Sequence, residues 1–306
     1  MPALYVPAIE RLEEIVKLTQ DDFERFYQGY KERKIALPEF RTFIRTKLHR
    51  NLEILDANWD RLYPSLQGVK FVDPRVTKYS SVSVASLNET VKRIIRRYDG
   101  LLRYLDVRNE PKRLALGLHN EIVKVVGDLK AIMAEEHVTF EIRGSLTDKF
   151  DQTLISLIFQ NLIVNSIKYR GRKRTPRFSI RIGVAAPEDI ATLIPAEFGD
   201  LLAHAGPVAC VVYADNGRGI PPDYAEAAFR PFIQVDPDDP SGGSGMGLAI
   251  VRSAVESHDG HVWLKSRLGI GTTFFMVIPL EDIANARLSP TEEIRAWLKE
   301  DGGLDR

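Results

Sequence analysis

Apolar residues recur at helical spacing through the first hundred positions of the chain. One stripe runs over 9–30, a second over 38–62 and a third over 84–105. Spacings of three and four residues place such positions on one face of a helix, and the third stripe keeps this alternation over three heptads. The pattern predicts three long helices, of which the last two form a helical hairpin that pairs with itself or with a second chain.

The pattern changes at about residue 114 to alternating helices and strands. Helices are predicted over 119–135 and 151–169, and strands over 138–144, 177–185, 208–215, 261–266 and 272–280. Several of these strands alternate with period two, and the short connections between mixed elements indicate a two-layer α/β sandwich. A last helix is expected within 289–300, with Ser289 as its N-cap ahead of a proline and an acidic first turn.

Composition and charge narrow the classes of partner. The chain has 42 basic and 42 acidic residues, which removes the electrostatic reason to expect a nucleic-acid or anionic-membrane partner. Cys210 is the one cysteine, so an internal disulfide is excluded and a reducing cytoplasm fits. The N-terminus carries charges before any long apolar run, and no stretch reaches the roughly 18 apolar residues of a membrane span. We therefore expect a cytoplasmic protein, or the soluble end of a larger one.

Two asparagines and a lysine are spaced to share one face of the helix predicted over 151–169. Asn161, Asn165 and Lys168 stand at i, i+4 and i+7 within LIFQNLIVNSIKYRG. A carboxamide oxygen suits a Mg²⁺ ion that also carries phosphate oxygens, and a lysine suits the phosphate charge. Taken alone, the asparagines are explained equally well as solvent-facing residues of a surface helix.

Glycines cluster in three later segments. In VVYADNGRGIPPD a strand ends at Asp215, and Gly217 and Gly219 then allow a close turn, although such turns are also common where no ligand binds. In SGGSGMGL the glycines precede a helix, and helix-initial N–H groups lined by glycine are ready anion sites. GIGTTFFMVIPL is a glycine turn with two hydroxyl residues that opens a strand.

Four segments in this order, NLIVNSIKY, DNGRGI, FRPF with GGSGMGLAIV, and GTTF, resemble the ATPase superfamily of histidine kinases, gyrase, Hsp90 and mismatch-repair proteins. The resemblance covers about residues 114–281 and implies ATP and Mg²⁺ as cofactors. It also implies that Asp215 binds the adenine amino group, that Asn165 holds Mg²⁺, and that residues 221–242 form a mobile lid. The nucleotide-binding residues it implies are Asn165, Lys168, Tyr169, Asp215, Gly217, Gly219, Ile220, Gly243, Ser244, Gly245, Met246, Gly247, Leu248, Thr272 and Thr273.

Asn161 separates two branches of that superfamily. In the hydrolysing branch a glutamate stands one helical turn before the Mg²⁺ asparagine and activates water. Asn161 occupies that place here, and an amide cannot act as a general base. The kinase branch carries asparagine there, and VESHDGHVWLKSRLGIGTTFFMVIPL also looks like that branch. We therefore expect a histidine kinase-type ATP domain with Asn161 at its catalytic centre.

His49 is the candidate phosphoacceptor on the first hairpin helix. Its position at the edge of the apolar stripe, with Phe43 six residues earlier, resembles the family's acceptor segment. Two features depart from that segment: the usual acid after the histidine is Arg50, and the proline that bends the helix is missing. Because an acid would orient the imidazole and take up its proton, the alternative is an exposed histidine on a bundle helix. His119 and His137 are expected to be packing or surface residues.

The expected fold is α+β, with four parts. These are an N-terminal helix (1–37), a helical hairpin that dimerises as a four-helix bundle (38–112), a two-layer ATP-binding sandwich (113–281), and a C-terminal helix and tail (282–306). The leading hypothesis is a homodimeric histidine kinase-like protein of a two-component system, with a response-regulator receiver as partner.

Three other functions stay open on the sequence alone. Arg50 favours an ATP-binding interaction module without a working acceptor. A gyrase-like or Hsp90-like clamp is disfavoured by Asn161 and by the lack of a large downstream domain. A serine kinase of the anti-sigma type would share the ATP segments but normally lacks the N-terminal hairpin. The basic run KYRGRKRTPR is typical of a solvated loop, or of a surface for an acidic receiver.

Overall fold

The computed structural model describes residues 111–171, 174–198, 206–231, 233–235, 244–282 and 287–299, with a few positions before them. The chain divides into two compact units, Met1–Leu105 and Asp106–Arg306. In the first unit the described residues are all helical: Arg25, Lys92, Arg96, Gly100, Arg103 and Tyr104. The rest of the predicted hairpin, including His49, lies outside the described residues. Among the described helices, none is long and apolar enough to cross a membrane.

The second unit alternates helices and strands. The strands are β1 (Arg113–Gly117), β2 (Thr139–Arg143), β3 (Thr147–Asp151), β4 (Arg177–Ala185), β5 (Val208–Asp215), β6 (His261–Arg267) and β7 (Gly271–Pro279). The helices are α1 (Leu118–Asp128), α2 (Lys130–Glu135), α3 (Gln152–Lys168), α4 (Pro187–Ile190), α5 (Gly247–Glu256) and α6 (Thr291–Leu298). A mixed sheet has the order β2-β4-β5-β7-β6, and β1 pairs with β3 in a separate two-stranded sheet. Within the mixed sheet β2 runs parallel to β4, and the other neighbours are antiparallel.

Helix α3 has nearly the bounds that the sequence predicts. Asp151 caps it, because its Oδ1 accepts a hydrogen bond of 3.1 Å from the backbone N–H of Leu154, a stabilising arrangement at a helix start. Asn161, Asn165 and Lys168 are half-buried, which leaves the predicted polar face partly open. The apolar positions of the helix are buried: Leu154, Ile155, Ile158, Phe159, Leu162, Ile163 and Ile167. The helix predicted over 119–135 is instead two helices, because the chain turns at Leu129 (φ −93°, ψ 4°).

A second group of elements covers the other face of the mixed sheet. The prediction of a two-layer sandwich missed this additional layer. Residues of β4, β5, β6 and β7 pack there against α4, a short 3-10 turn (Ala196–Phe198) and α6. The buried residues of this cluster are Ala185, Ile190, Ile194, Val208, Cys210, Val212, Trp263, Phe275, Val277, Ile294, Trp297 and Leu298. Strands β4, β5 and β7 are therefore buried on both faces, and β5 is buried at every position.

Helix α6 lies against β4 at Gly183. A Cβ added to Gly183 would lie 2.5 Å from Cδ1 of Ile294 and 3.0 Å from Cζ3 of Trp297, so a side chain there would force these side chains of the helix to shift. The prediction that Ser289 caps this helix is wrong. Its hydroxyl instead accepts a hydrogen bond of 3.1 Å from the N–H of Val184, because the segment before α6 is bound to β4.

A buried histidine connects the end of α5 to the start of α3. Nδ1 of His258 lies 2.8 Å from the carbonyl oxygen of Ala254 and must donate to it. Nε2 accepts a hydrogen bond of 3.0 Å from the N–H of Asp151, so the ring is neutral, and burial lowers its pKa. The contact fixes the relative position of two helices whose opposite ends carry the candidate site.

Candidate nucleotide site

The start of α5 lies against the polar face of α3. A Cβ added to Gly247 would lie 3.1 Å from Oδ1 of Asn161 and 3.5 Å from Nδ2 of Asn165. Nδ2 of Asn161 donates a 2.7 Å hydrogen bond to the carbonyl of Leu157, which directs its Oδ1 toward Gly247. The two asparagines and one of the predicted glycines are thus brought together, and a side chain at 247 would fill the space that they border.

Asp215, at the end of β5, is a buried carboxylate with a fixed orientation. Asp215 is 7% exposed to solvent. Oδ1 accepts hydrogen bonds from the N–H groups of Gly217 at 2.8 Å and Thr272 at 3.2 Å. Oδ2 accepts one from the hydroxyl of Ser166 at 3.3 Å. Burial raises the pKa of this carboxyl to about 6, and the hydrogen bonds from Gly217, Thr272 and Ser166 act in the opposite direction.

The turn after Asp215 requires glycine at both predicted positions. A Cβ on Gly217 would lie 2.8 Å from Oδ1 of Asp215 and 2.9 Å from the carbonyl of Tyr169. Gly219 has a φ of +78°, which residues with side chains adopt only with strain, and a Cβ there would lie 2.3 Å from the carbonyl of Arg267. The N–H of Ile220 then donates to the hydroxyl of Ser266 at 2.7 Å, which ties the turn to β6.

Two residues beside Asp215 were absent from the sequence-based prediction. Ser166 of α3 and Tyr213 of β5 are buried, and their hydroxyl oxygens lie 2.6 Å apart. Burial, together with the charge of Asp215, raises the pKa of Tyr213, so its phenol stays neutral. One signal for Tyr213 was available: residues two apart on a strand share a face, so a tyrosine at 213 must stand beside a functional aspartate at 215.

Lys168 and Tyr169 lie together at the end of α3. Nζ of Lys168 donates a 3.0 Å hydrogen bond to the hydroxyl of Tyr169 and lies 4.6 Å from the centre of its ring. The guanidinium of Arg218, in the turn after Asp215, lies 4.8 Å from the same ring. Two cationic groups therefore contact one aromatic ring, an arrangement in which ring and charge attract each other.

The GTTF segment contacts the same carboxylate through its backbone. Besides the bond from the Thr272 N–H to Asp215, Oγ1 of Thr272 lies 2.9 Å from the hydroxyl of Ser266. Thr273 is fully buried in β7. A Cβ on Gly271 would lie 1.9 Å from the carbonyl of Asp215, so the glycine that precedes the threonines permits this close pairing of β5 and β7.

The glycine segment before α5 is described in part. Gly245 has a φ of +71°, and the N–H of Met246 donates to the hydroxyl of Ser244 at 3.2 Å. Met246 is buried, Leu248 is half-buried, and no side-chain hydrogen bond caps α5. Gly243 and the end of the predicted lid lie outside the described residues.

The other two histidines named in the sequence analysis are placed away from these contacts. Nδ1 of His119 lies 2.9 Å from the carbonyl oxygen of Gly144, and His137 occupies a turn after α2 with a φ of 53°. Both positions agree with the expectation of packing or surface residues.

Comparison with known proteins gives the family of this domain. The family described as histidine kinase-, DNA gyrase B-, and HSP90-like ATPase matches residues 150–282. Phytochrome-like protein Cph1 of Synechocystis sp. is 32% identical over 183 residues, which are 60% of this chain and 22% of Cph1. The methanogenesis regulatory histidine kinase FilI of Methanothrix harundinacea is 29% identical over 203 residues, which are 65% of this chain and 20% of FilI. The chain thus spans about a fifth of the length of these two relatives.

The Acinetobacter baumannii histidine kinase AdeS superposes with a TM-score of 0.48 at 16% identity, covering 78% of this chain and 98% of that one. The family match includes all four segments on which the resemblance was based, from NLIVNSIKY to GTTF. Residues 150–282 therefore match the family of histidine kinase-, DNA gyrase B- and HSP90-like ATPases, which confirms the predicted resemblance, and the relatives include the histidine kinase FilI.

Proposed function

We propose that this protein binds Mg-ATP at the site between α3, β5 and α5, and transfers the γ-phosphate to a histidine. The observation that carries the proposal is the arrangement at Asp215 and Gly247. A buried carboxylate with one oxygen open to a donor lies at the end of the strand that faces α3. Two carboxamides on that same helix border the start of α5. A single nucleotide could place its base at Asp215 and its phosphates beside the asparagines and Gly247.

Asp215 would recognise the amino group of adenine. Both lone pairs of Oδ1 are used by backbone N–H groups, whereas Oδ2 receives one hydrogen bond among the described residues. The second lone pair of Oδ2 would accept from a ligand N–H. An ionised carboxylate offers no donor, so a 6-amino purine would be favoured over a 6-oxo purine, whose oxygen would be left facing an acceptor.

Asn161, Asn165 and Lys168 would hold the triphosphate end. Among the described residues, no group of three or more His, Cys, Asp or Glu could bind a metal ion alone. The carboxamides fit Mg²⁺ when the phosphates supply further oxygens, with Asn165 as the protein ligand. The bound ion would neutralise phosphate charge. The start of α5, which has no side-chain cap, would offer backbone N–H groups to phosphate oxygens.

The transfer itself would need positioning more than acid–base chemistry. A bond would form between Nε2 of His49 and the γ-phosphorus while the bond from that phosphorus to the β,γ-bridging oxygen breaks. ADP would leave with the electron pair, and the remaining imidazole proton would pass to solvent. Because the amide of Asn161 cannot deprotonate water, hydrolysis would be slow relative to transfer.

The partners would follow from this chemistry. A phosphohistidine is a donor for an aspartate of a response-regulator receiver, and transfer from one chain to another would require a homodimer of the hairpin at 38–112. We place this exchange in the cytoplasm, where ATP and reduced Cys210 are both expected.

The direct test is incubation of the protein with Mg²⁺ and γ-labelled ATP beside a His49→Ala variant. The expected label is stable in alkali, lost in acid and absent from the variant. The same label persisting in the variant would keep the kinase and move its acceptor. Bound ATP without any label would instead support an ATP-binding regulatory module, the reading that Arg50 favours.

A further inference from the structure

Tyr213 lies two residues before Asp215 on β5, close to the proposed base-binding carboxylate. It is fully buried, its ring stacks on Phe178 at 5.4 Å between centroids, and its oxygen lies 2.6 Å from Oγ of Ser166. Ser166 in turn lies 3.3 Å from Oδ2 of Asp215. A chain of three polar groups therefore runs from β5 through α3 and back to the open oxygen of the carboxylate.

The direction of the hydrogen bonds in this chain follows from counting hydrogens. Ser166 has one hydroxyl hydrogen and two acceptors within reach, Oδ2 of Asp215 and the carbonyl of Leu162 at 3.0 Å. If Ser166 donated to Tyr213, the buried carboxylate would lose this donor and the phenol hydrogen would need another acceptor. We therefore take Tyr213 as the donor to Ser166. The Leu162 carbonyl already accepts the i+4 bond of the helix, so the ionised carboxylate is the stronger acceptor for the Ser166 hydrogen.

We propose that Tyr213 is a positioning and specificity-determining residue that acts on Asp215 through Ser166. Its hydroxyl occupies a lone pair of Ser166 and polarises the Ser166 O–H toward Oδ2. The carboxylate is then held ionised, with one lone pair of Oδ2 directed at the ligand. This inference rests on the proposed role of Asp215 as the base-binding carboxylate.

The consequence is a preference among purine bases. With the chain intact, Oδ2 accepts from a 6-amino group and repels a 6-oxo group. Without the Tyr213 hydroxyl, Ser166 donates less strongly, and a larger fraction of Asp215 carries a proton on Oδ2. A protonated Oδ2 is a donor, which suits a 6-oxo base, so discrimination between the two bases should fall.

The test is a double-mutant cycle with two nucleotides. The dissociation constants of Mg-ATP and Mg-ITP are measured by calorimetry at pH 7 for the wild type, Tyr213→Phe, Ser166→Ala and the double variant. Each single substitution should reduce the ratio of ATP affinity to ITP affinity by about three- to tenfold, as expected for one hydrogen bond. The double variant should be no worse than Ser166→Ala, because Tyr213 acts only through that hydroxyl.

A matched control separates this role from packing. Phe275→Leu removes a ring from the opposite face of the sheet, where Phe275 stacks on Trp263 at 5.3 Å, and should lower the melting temperature without changing the nucleotide ratio. If Tyr213→Phe behaves like this control, or if its effect adds to that of Ser166→Ala, the inference is wrong. A wild type that binds neither nucleotide would overturn the proposed function itself, whereas ATP binding with an unaltered ratio in Tyr213→Phe overturns the inference alone.

Discussion

The raised pKa of Asp215 predicts that acid weakens ATP binding. It also predicts that acid raises the free energy of unfolding contributed by Asp215 in the protein without nucleotide. Burial raises this pKa from 3.8 to about 6, and the proton would settle on Oδ2, since both lone pairs of Oδ1 are engaged. Only the ionised form accepts the adenine amino group. Tyr213, the titratable group beside it, has a raised pKa of its own and stays neutral, so Asp215 carries the pH dependence.

The expected size follows from the fraction of ionised carboxylate. ATP affinity should be nearly constant above pH 7 and fall about tenfold for each pH unit below 6. The triphosphate also titrates near this range, so the quantity to plot is the ratio of Mg-ATP to Mg-ITP affinity, in which that contribution cancels. The ratio should fall about tenfold between pH 7 and pH 5.

The contribution of Asp215 to the stability of the protein without nucleotide should change with pH in the opposite direction. The folded state has the higher pKa, so between about pH 4 and 6 it binds more protons than the unfolded state. The stabilisation is full below pH 4 and is lost as the pH rises through 6. It amounts to up to about 3 kcal/mol for a difference of about 2 pH units. Urea unfolding of the wild type and of Asp215→Asn across this pH range measures this contribution. It is the pH-dependent difference between their free energies of unfolding. If the ratio of Mg-ATP to Mg-ITP affinity stays constant from pH 7 to pH 5, ionised Asp215 is not the group that recognises the base.

Two further substitutions and one thiol reagent test separate parts of the structure. Gly247→Ala should weaken Mg-ATP binding at least about tenfold, because its methyl group enters the space beside Asn161, and a melting curve without nucleotide checks that the variant folds. Unchanged affinity would contradict the proposed phosphate end. Trp297→Ala should cost about 3–5 kcal/mol in urea unfolding, and a loss under 1 kcal/mol would show that α6 is dispensable. Cys210 should resist a thiol reagent until urea unfolds the protein, because burial raises its pKa to about 12; rapid reaction in the native state would contradict its burial.

The elements that the sequence predicted well are those with strong local signals. Helix α3 has a capping aspartate and a long apolar pattern. Strand β4 alternates apolar residues with polar ones or glycine, β5 is a nearly continuous apolar run, and both have the predicted bounds. Strands β1 and β3 were missed. β3 is TDKFD, in which three of five residues are charged, and it exists because it pairs with a segment more than thirty positions earlier.

The second helical group was missed for a related reason. Helix α4 has four residues, too short for a periodic signal, and the need for Gly183 becomes visible only once α6 lies upon it. Ser289 has the expected residue type for a cap, yet its hydroxyl binds Val184, because a partner far along the chain competes with the local one.

The candidate site was predictable where a side chain has few other uses. Asp215 and Asn165 stood out as polar residues among apolar ones, and glycines mark turns that exclude side chains. Ser166 did not stand out, because a serine inside a helix looks like an ordinary core residue. For Tyr213 the one signal was its position two residues before Asp215 on the same strand. Their meeting depends on how α3 crosses the sheet, which no spacing in the sequence encodes.

The most direct test of phosphoryl transfer from ATP bound at Asp215 is phosphorus NMR of the protein incubated with Mg-ATP, with Asp215→Asn as the comparison. We expect a protein-bound phosphoramidate resonance that appears as ADP forms, and that is absent from the variant. Release of inorganic phosphate without a phosphoramidate would indicate a hydrolase and contradict the assignment of Asn161. Equal phosphoramidate in wild type and variant would contradict the role of Asp215 in binding ATP.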